Sequence, residues 1–216
     1  MAGTLELTPE RARIFRITHI DNVPWILKNG LHCSKSPTCD PGFVQIGNAD
    51  LIAKRPTRTV PVAPWGTLAD YIPFYFTPFS PMLLNIKTGQ GAQQRPMRDI
   101  VILVSSLHTL SGAGIKFVYT DRHAFLINAK FTSDMAELAS RVDWKILQAR
   151  DFKRQNTTDL DKFDRYMAEA LAHHHVPATA LGGVVCQRPN EEAQLRQLVQ
   201  NAGVQLEVAC RPTWFF

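Results

Sequence analysis

The chain has 216 residues, 45% of them hydrophobic and 20% charged, with 24 Lys and Arg against 19 Asp and Glu for a formal net charge of +5. Such a composition buries a full core, excludes a disordered chain, and predicts a single domain over residues 1–216. No run approaches eighteen apolar residues, which argues against a membrane-spanning helix, and Met1 to Arg13 lacks the apolar stretch of a secretion signal. A cytoplasmic setting is expected. Cys33, Cys39, Cys186 and Cys210 form no CxxC pair and read as free thiols. The basic balance suits a phosphate-rich partner.

Ile14 to Thr18 alternates and predicts a first strand. It feeds a short helix capped by Asp21 or Asn22, with Pro24 in its first turn and Gly30 at its end. His19 and Asn22 at this junction either satisfy the local backbone or face a ligand. Cys33 to Pro64 is rich in Pro and Gly with little periodicity, and so long a stretch in a compact domain is usually a functional loop. It contains Ala53-Lys-Arg-Pro-Thr-Arg58. There Arg55 and Arg58 are either solvated surface or a clamp for a pyrophosphate or carboxylate.

Asp70-Tyr-Ile-Pro-Phe-Tyr-Phe-Thr-Pro-Phe-Ser-Pro-Met82 interleaves aromatics with prolines. The prolines argue against a buried strand because each removes a backbone donor. The aromatics argue against a linker. A stiff loop walling a pocket for a planar ligand or base is expected.

Ile100 to Val104 and Lys116 to Tyr119 read as strands, the second running into Thr120-Asp-Arg-His-Ala124 and leaving His123 at its end. Ser133 or Asp134 caps a short helix through Ser140. Leu160, Phe163, Tyr166 and Met167 follow helical spacing. Glu169-Ala-Leu-Ala172 either continues that helix or opens a strand, and Val176-Pro177 ends it. On a helix, Asp161, Arg165 and Glu169 make a surface ladder. The alternative for Glu169, set among small apolar residues, is a buried carboxylate with a chemical purpose. His173-His-His175 resembles a metal tract, but consecutive side chains do not face one ion from regular structure, so a turn is expected. Gly183 to Gln187 is a strand, Asn190 starts a helix that Gly203 stops, and Val204 to Ala209 is a last strand. This irregular order predicts an α+β fold. The chain has no GxGxxG after a strand, no P-loop, no HExxH and no GxSxG, which argues against Rossmann- or Walker-type nucleotide binding.

Taken together, these segments resemble the DarT family of nucleic-acid ADP-ribosyltransferases. The stretches that carry the resemblance are Phe15-Arg-Ile-Thr-His-Ile-Asp-Asn22, Ile46-Gly47 with Leu51 and Arg55, Asp70-Tyr-Ile-Pro-Phe-Tyr-Phe76, Ser80-Pro-Met-Leu83, Thr120-Asp-Arg-His-Ala124 and Ala168-Glu-Ala-Leu171. They spread over about residues 14–187. The resemblance implies a split, strongly bent β core with flanking helices. It implies NAD+ as donor, transfer of ADP-ribose to a base in single-stranded DNA, with the same transfer to RNA as the alternative, and no metal. It also implies a toxin whose antitoxin partner carries a macrodomain.

By position, the resemblance makes Glu169 the catalytic glutamate and favours a strand start at Ala168 over the surface ladder. Arg55 becomes the arginine of the loop over NAD+, with Arg58 as the alternative. His19, Asn22, Gly47, Leu51, Tyr71, Phe74, Phe76 and His123 fall at the dinucleotide. The segment Ala149 to Arg165 lies where such enzymes read the acceptor, so Arg150, Lys153, Arg154 and Arg165, with Met82, are expected at the nucleic acid. Two positions depart from the family pattern: Phe79 replaces a basic residue, and Met167 replaces a polar one two before the glutamate. A catalytically inactive nucleic-acid-binding module is the reading from another class.

Overall fold

The structure, a computed structural model, describes residues 5–153 and 158–216. In chain order its strands are β1 (Arg13–His19), β2 (Leu31–His32), β3 (Tyr71–Tyr75), β4 (Ile100–Ser106), β5 (Phe117–Thr120), β6 (Phe131–Thr132), β7 (Glu169–His173), β8 (His175–Val176), β9 (Gly183–Cys186) and β10 (Glu207–Cys210). The α-helices are α1 (Val23–Asn29), α2 (Ala49–Lys54), α3 (Pro81–Thr88), α4 (Leu107–Gly112), α5 (Leu138–Arg141), α6 (Trp144–Ala149), α7 (Lys162–Tyr166) and α8 (Pro189–Ala202). The fold is α+β.

Eight strands form one sheet in the order β10-β9-β4-β1-β3-β7-β5-β6, and β2 pairs β8 apart from it. Every neighbouring pair is antiparallel except β9 with β10. β1 zips along β4 over its full length, from Arg13 opposite Ser106 to His19 opposite Ile100. Against β3 it keeps one registered pair, Phe15 with Tyr75. The sheet is therefore split between β1 and β3 into two halves joined at a single rung.

Pro73 accounts for the split. Its carbonyl accepts from Arg16 Nη1 at 2.9 Å, so it points toward β1. The N and C=O of one strand residue face the same side, and Pro73 has no N–H to offer β1. On its other side β3 pairs β7 without interruption, from Tyr71 opposite His173 to Tyr75 opposite Glu169.

The expectation of a loop over Asp70 to Met82 is thus corrected to a strand followed by a helix. Pro73 sits in the strand because its missing donor faces the opening. Pro81 occupies the first turn of α3, where no donor is needed, and the Ser80 hydroxyl accepts from Leu83 N–H at 3.2 Å to cap it.

The other strands expected from apolar alternation are present within two or three residues of their expected ends. The expected stops also hold: Gly30 ends α1 at φ 79°, and Gly203 ends α8 at φ 66°. A Cβ on Gly30 would lie 2.5 Å from the Val176 carbonyl, so this turn needs glycine twice over. The long loop contains a helix that periodicity does not reveal, α2, capped by Asn48 and burying none of its residues. Most of the core lies in one cluster around β1, β4 and β9, including Ile14, Phe15, Ile102 and Val184. A smaller cluster gathers Val60, Leu68, Tyr71, Val118 and Leu171.

Candidate active site in the split of the sheet

Glu169 opens β7 directly below the split. Helix α7 stops at Tyr166, so the Asp161–Arg165 pair forms while Glu169 leaves the helical register and becomes a strand residue, 4% exposed. Its backbone N–H donates to Thr120 Oγ1 at 3.1 Å, and that hydroxyl donates to the Arg122 carbonyl at 2.6 Å. Carboxylate Oε1 accepts from the Ala124 N–H at 3.0 Å. Oε2 faces Arg55 Nη1 at 3.9 Å, an electrostatic contact too long for a hydrogen bond.

Arg55 is held by its backbone-facing edge. Nη2 donates to the Leu68 carbonyl at 2.7 Å and to the Tyr71 carbonyl at 3.3 Å, which turns Nη1 toward Glu169. Burial lowers its pKa, and the charge of Glu169 opposes that loss. Arg58 points elsewhere. It donates to the Ala124 and Leu126 carbonyls at 3.3 and 2.8 Å and lies over the Phe131 ring, so it clasps the turn after β5. Of the two arginines, the geometry brings Arg55 to the carboxylate.

Two residues that no spacing rule singles out complete the cluster. Arg16 fills the gap between β1 and β3; its Nε is buried with no hydrogen-bond partner among the described residues. Burial first, then the charge of Arg55, pulls its pKa down to about 10. Tyr75, opposite Glu169, is pushed above the usual tyrosine range by burial and then by Glu169. Its hydroxyl donates to Met82 Sδ at 3.5 Å. The available sequence signal was a lone charge inside the apolar run Ile14-Phe-Arg-Ile17.

His123 stands 3.6 Å from Glu169 Oε1 through Nδ1. That nitrogen accepts from the Phe125 N–H at 3.1 Å, so in the neutral ring the proton is on Nε2 and Nδ1 does not donate to the carboxylate. His19 Nδ1 likewise accepts from the Asp21 N–H at 3.2 Å. Asn22 is fully buried. Its amide donates to Thr18 Oγ1 and the Val44 carbonyl and accepts from Val44 N–H, all within 3.0 Å. It ties the long loop to the first strand.

Gly47 packs beside this region: a Cβ there would meet Ile52 Cδ1 at 3.0 Å and Met82 Sδ at 4.0 Å. Leu51 is exposed on α2. Tyr71 is buried in the smaller cluster with its hydroxyl on the Trp65 carbonyl at 2.7 Å, and it reaches the site through the backbone carbonyl that holds Arg55. Phe74 and Phe76 correct the expectation of a cleft wall. Alternation along β3 sends Phe74 to the face opposite Tyr75, and both rings are fully buried in the main core, Phe76 against Tyr119 and Trp144.

On the expected acceptor side, Arg150 lies over the Phe79 ring at 3.4 Å. A cation thus stands where Phe79 replaced one. Lys153 is exposed, and Arg154 lies outside the described residues. Arg165 is a second correction. It is enclosed by Asp143, Asp159 and Asp161, with hydrogen bonds to Asp159 raising its pKa, and it fastens α7 to α6. Lys162 is spent in the same way on Asp151 at 2.8 Å. The histidine tract spans β7, a left-handed His174 at φ 61° and β8, and no group of three metal-ligating side chains occurs among the described residues. No helix among them is long and apolar enough to cross a membrane.

The family model described as ssDNA thymidine ADP-ribosyltransferase, DarT, matches residues 15–216. A DNA ADP-ribosyl transferase of Escherichia coli O127:H6 is 46% identical over 211 residues, 97% of this chain and 96% of the relative. The structure of Thermus sp. 2.9 DarT in complex with ADP-ribosylated ssDNA superposes with a TM-score of 0.86 at 28% identity, covering 99% of this chain and 100% of the other. The same Thermus protein in complex with NAD+ gives 0.81 at 30% identity, with 97% and 100% covered.

Proposed function

This chain belongs to the DarT family of ssDNA thymidine ADP-ribosyltransferases, and from that premise we propose that it transfers ADP-ribose from NAD+ to a thymidine base of single-stranded DNA at Glu169. One observation carries the assignment of the site. A buried carboxylate, with one oxygen held by a backbone N–H and the other facing an arginine, stands where the sheet is split. The surroundings fit a dinucleotide. Arg16 and Arg55 outnumber the single carboxylate, and Arg16 Nε has no partner among the described residues, which leaves spare positive potential for a pyrophosphate.

Nicotinamide departs with the electrons of its bond to ribose C1′, leaving an oxocarbenium-like centre. Glu169 stabilises that centre more than it stabilises the substrate, because the site is buried and the carboxylate is already oriented. The attacking base nitrogen forms the new bond to C1′, and its proton passes to Glu169. Arg55 orients an anionic group of the substrate, and the Nε2–H of His123 is free to donate to the dinucleotide. The base reaches the cleft unstacked, which suits a single strand.

Thymidine as acceptor favours DNA over RNA. A toxin role in the cytoplasm, with an antitoxin whose macrodomain removes the mark, belongs to the same reading and rests on the family resemblance.

The test is incubation with NAD+ and matched DNA and RNA oligomers, with mass detection of an added ADP-ribose. An adduct on thymidine-containing DNA and none with Glu169→Ala is expected. An adduct formed at the wild-type rate by Glu169→Ala, or no adduct with the wild-type protein, overturns the proposal.

A further inference from the structure

The end of α3, the segment before β4 and the exit of β9 line an open hollow of about 580 Å³ that the chemistry above does not use. Its walls include Lys87, Arg95, Arg98, Gln187, Arg188 and Phe216. Four cations meet there. Among the described residues the carboxylate paired with them is Asp99, 3.6 Å from Arg98.

Two of the lining residues also hold a polar atom out of reach of solvent and without a hydrogen-bond partner among the described residues, Arg95 Nε and Gln187 Oε1, while Arg95 Nη2 donates to Gln93 Oε1 at 2.9 Å. What the hollow offers a ligand is its cationic heads, and these suit an anion.

Packing contacts link the walls of the hollow to the acceptor side of the cleft. Met82, beside Tyr75, lies in the first turn of α3, and Lys87 lies about 7.5 Å further along its axis. Phe216 packs on Phe152 at 5.9 Å, and Phe152 packs on Tyr166 at 4.9 Å, three residues before Glu169. Arg150 Nη1 donates to the Thr213 carbonyl on the same flank. Cations lining a groove with an aromatic face among them are how proteins track a single strand without reading its sequence.

We propose that this basin holds the phosphodiester backbone of the DNA substrate a few nucleotides from the modified base, with Phe216 offering a ring for a neighbouring base. The inference rests on single-stranded DNA being the acceptor, and binding tests it separately from chemistry.

Fluorescence anisotropy with the full chain compares two labelled oligothymidines over a salt series, one that only fills the cleft and one long enough to reach the basin. The variants are Arg95→Gln/Arg188→Gln and the rim pair Lys87→Gln/Arg98→Gln. Each double variant is expected to bind the long oligomer several-fold more weakly, with the salt slope reduced by about 1.4 for two lost phosphate contacts. The short oligomer and the thermal shift caused by NAD+ stay at wild-type values, the latter also reporting that the variants fold. Should one pair fail to fold, the other decides. Wild-type affinity and slope for the long oligomer, or equal weakening of both oligomers, overturns the proposal. A wild-type protein that binds the long oligomer through the basin yet forms no adduct overturns the Glu169 chemistry and leaves the basin standing.

Discussion

The substitution Glu169→Gln separates the charge of this side chain from its place in the fold. The amide oxygen of the substituted side chain still accepts from the Ala124 N–H, which lies 3.0 Å from Oε1 in the parent. What disappears is the negative charge 3.9 Å from Arg55. At an effective dielectric of about 20 that attraction is on the order of 4 kcal/mol. Only the desolvation of Glu169 is relieved, while Arg55 stays buried without its counter-charge, so the variant is expected to lose about 3–5 kcal/mol of stability. The rate of the folded protein falls further, because the oxocarbenium-like centre exists only in the transition state. Loss of one oriented electrostatic partner is worth roughly 10²- to 10³-fold, or about 3–4 kcal/mol of barrier. The assay is single-turnover adduct formation by mass, with NAD+ binding followed by thermal shift and stability by urea unfolding. A Glu169→Gln protein that folds, binds NAD+ and keeps more than a tenth of the parent rate would refute the role given to the carboxylate.

Three further expectations follow from the same cluster and its supports. Arg55→Ala is expected to abolish activity and, because it frees the Leu68 and Tyr71 carbonyls, to cost about 1–3 kcal/mol of stability as well. Arg58→Ala, which frees the Ala124 and Leu126 carbonyls, is expected to cost a similar amount while the folded variant keeps its activity; the reverse pattern of activity would exchange their roles. Arg16→Met removes a charge whose pKa burial holds near 10, so it is expected to be neutral or stabilising by up to about 3 kcal/mol while lowering turnover. Clear destabilisation in urea would show that the Pro73 contact outweighs the buried charge. Asp151 and Asp159 have pKa values lowered below 3.8, chiefly by hydrogen bonds to Lys162 and Arg165. A depressed carboxylate adds stability above its unfolded pKa and loses it as pH falls through the folded one. Stability should therefore drop on acidification below about pH 4, and Arg165→Met should flatten that drop. An unchanged acid limb in the variant would count against the Arg165 cage.

Local signals were enough where one stretch of chain decides its own conformation. Apolar runs marked β1, β4 and β9, because a strand buried in a sheet needs little but apolar side chains. Gly203 marks the end of α8, because a helix stop favours a left-handed residue, whereas its start lies one residue before the expected Asn190, at Pro189 with Arg188 in the capping position. The short helix α2 shows no apolar periodicity because it buries none of its residues, although Asn48 caps it.

Glu169 was undecided from its own neighbours, since helix and strand both suit Glu-Ala-Leu-Ala. The family resemblance settled it, and the structure places it on a strand. Pro73 misled, because its meaning depends on which neighbour its missing donor faces. Phe74 and Phe76 were expected at the cleft because their composition was legible and their facing was not.

The residue types of the site were therefore written in the chain, and their meeting was not. Arg16, Arg55 and Glu169 come from three separate parts of the chain, and only the open gap beside β3 draws them together. No window of sequence holds that information: strand pairing sets which side chains share a face, and burial in that shared space makes their charges act strongly on one another.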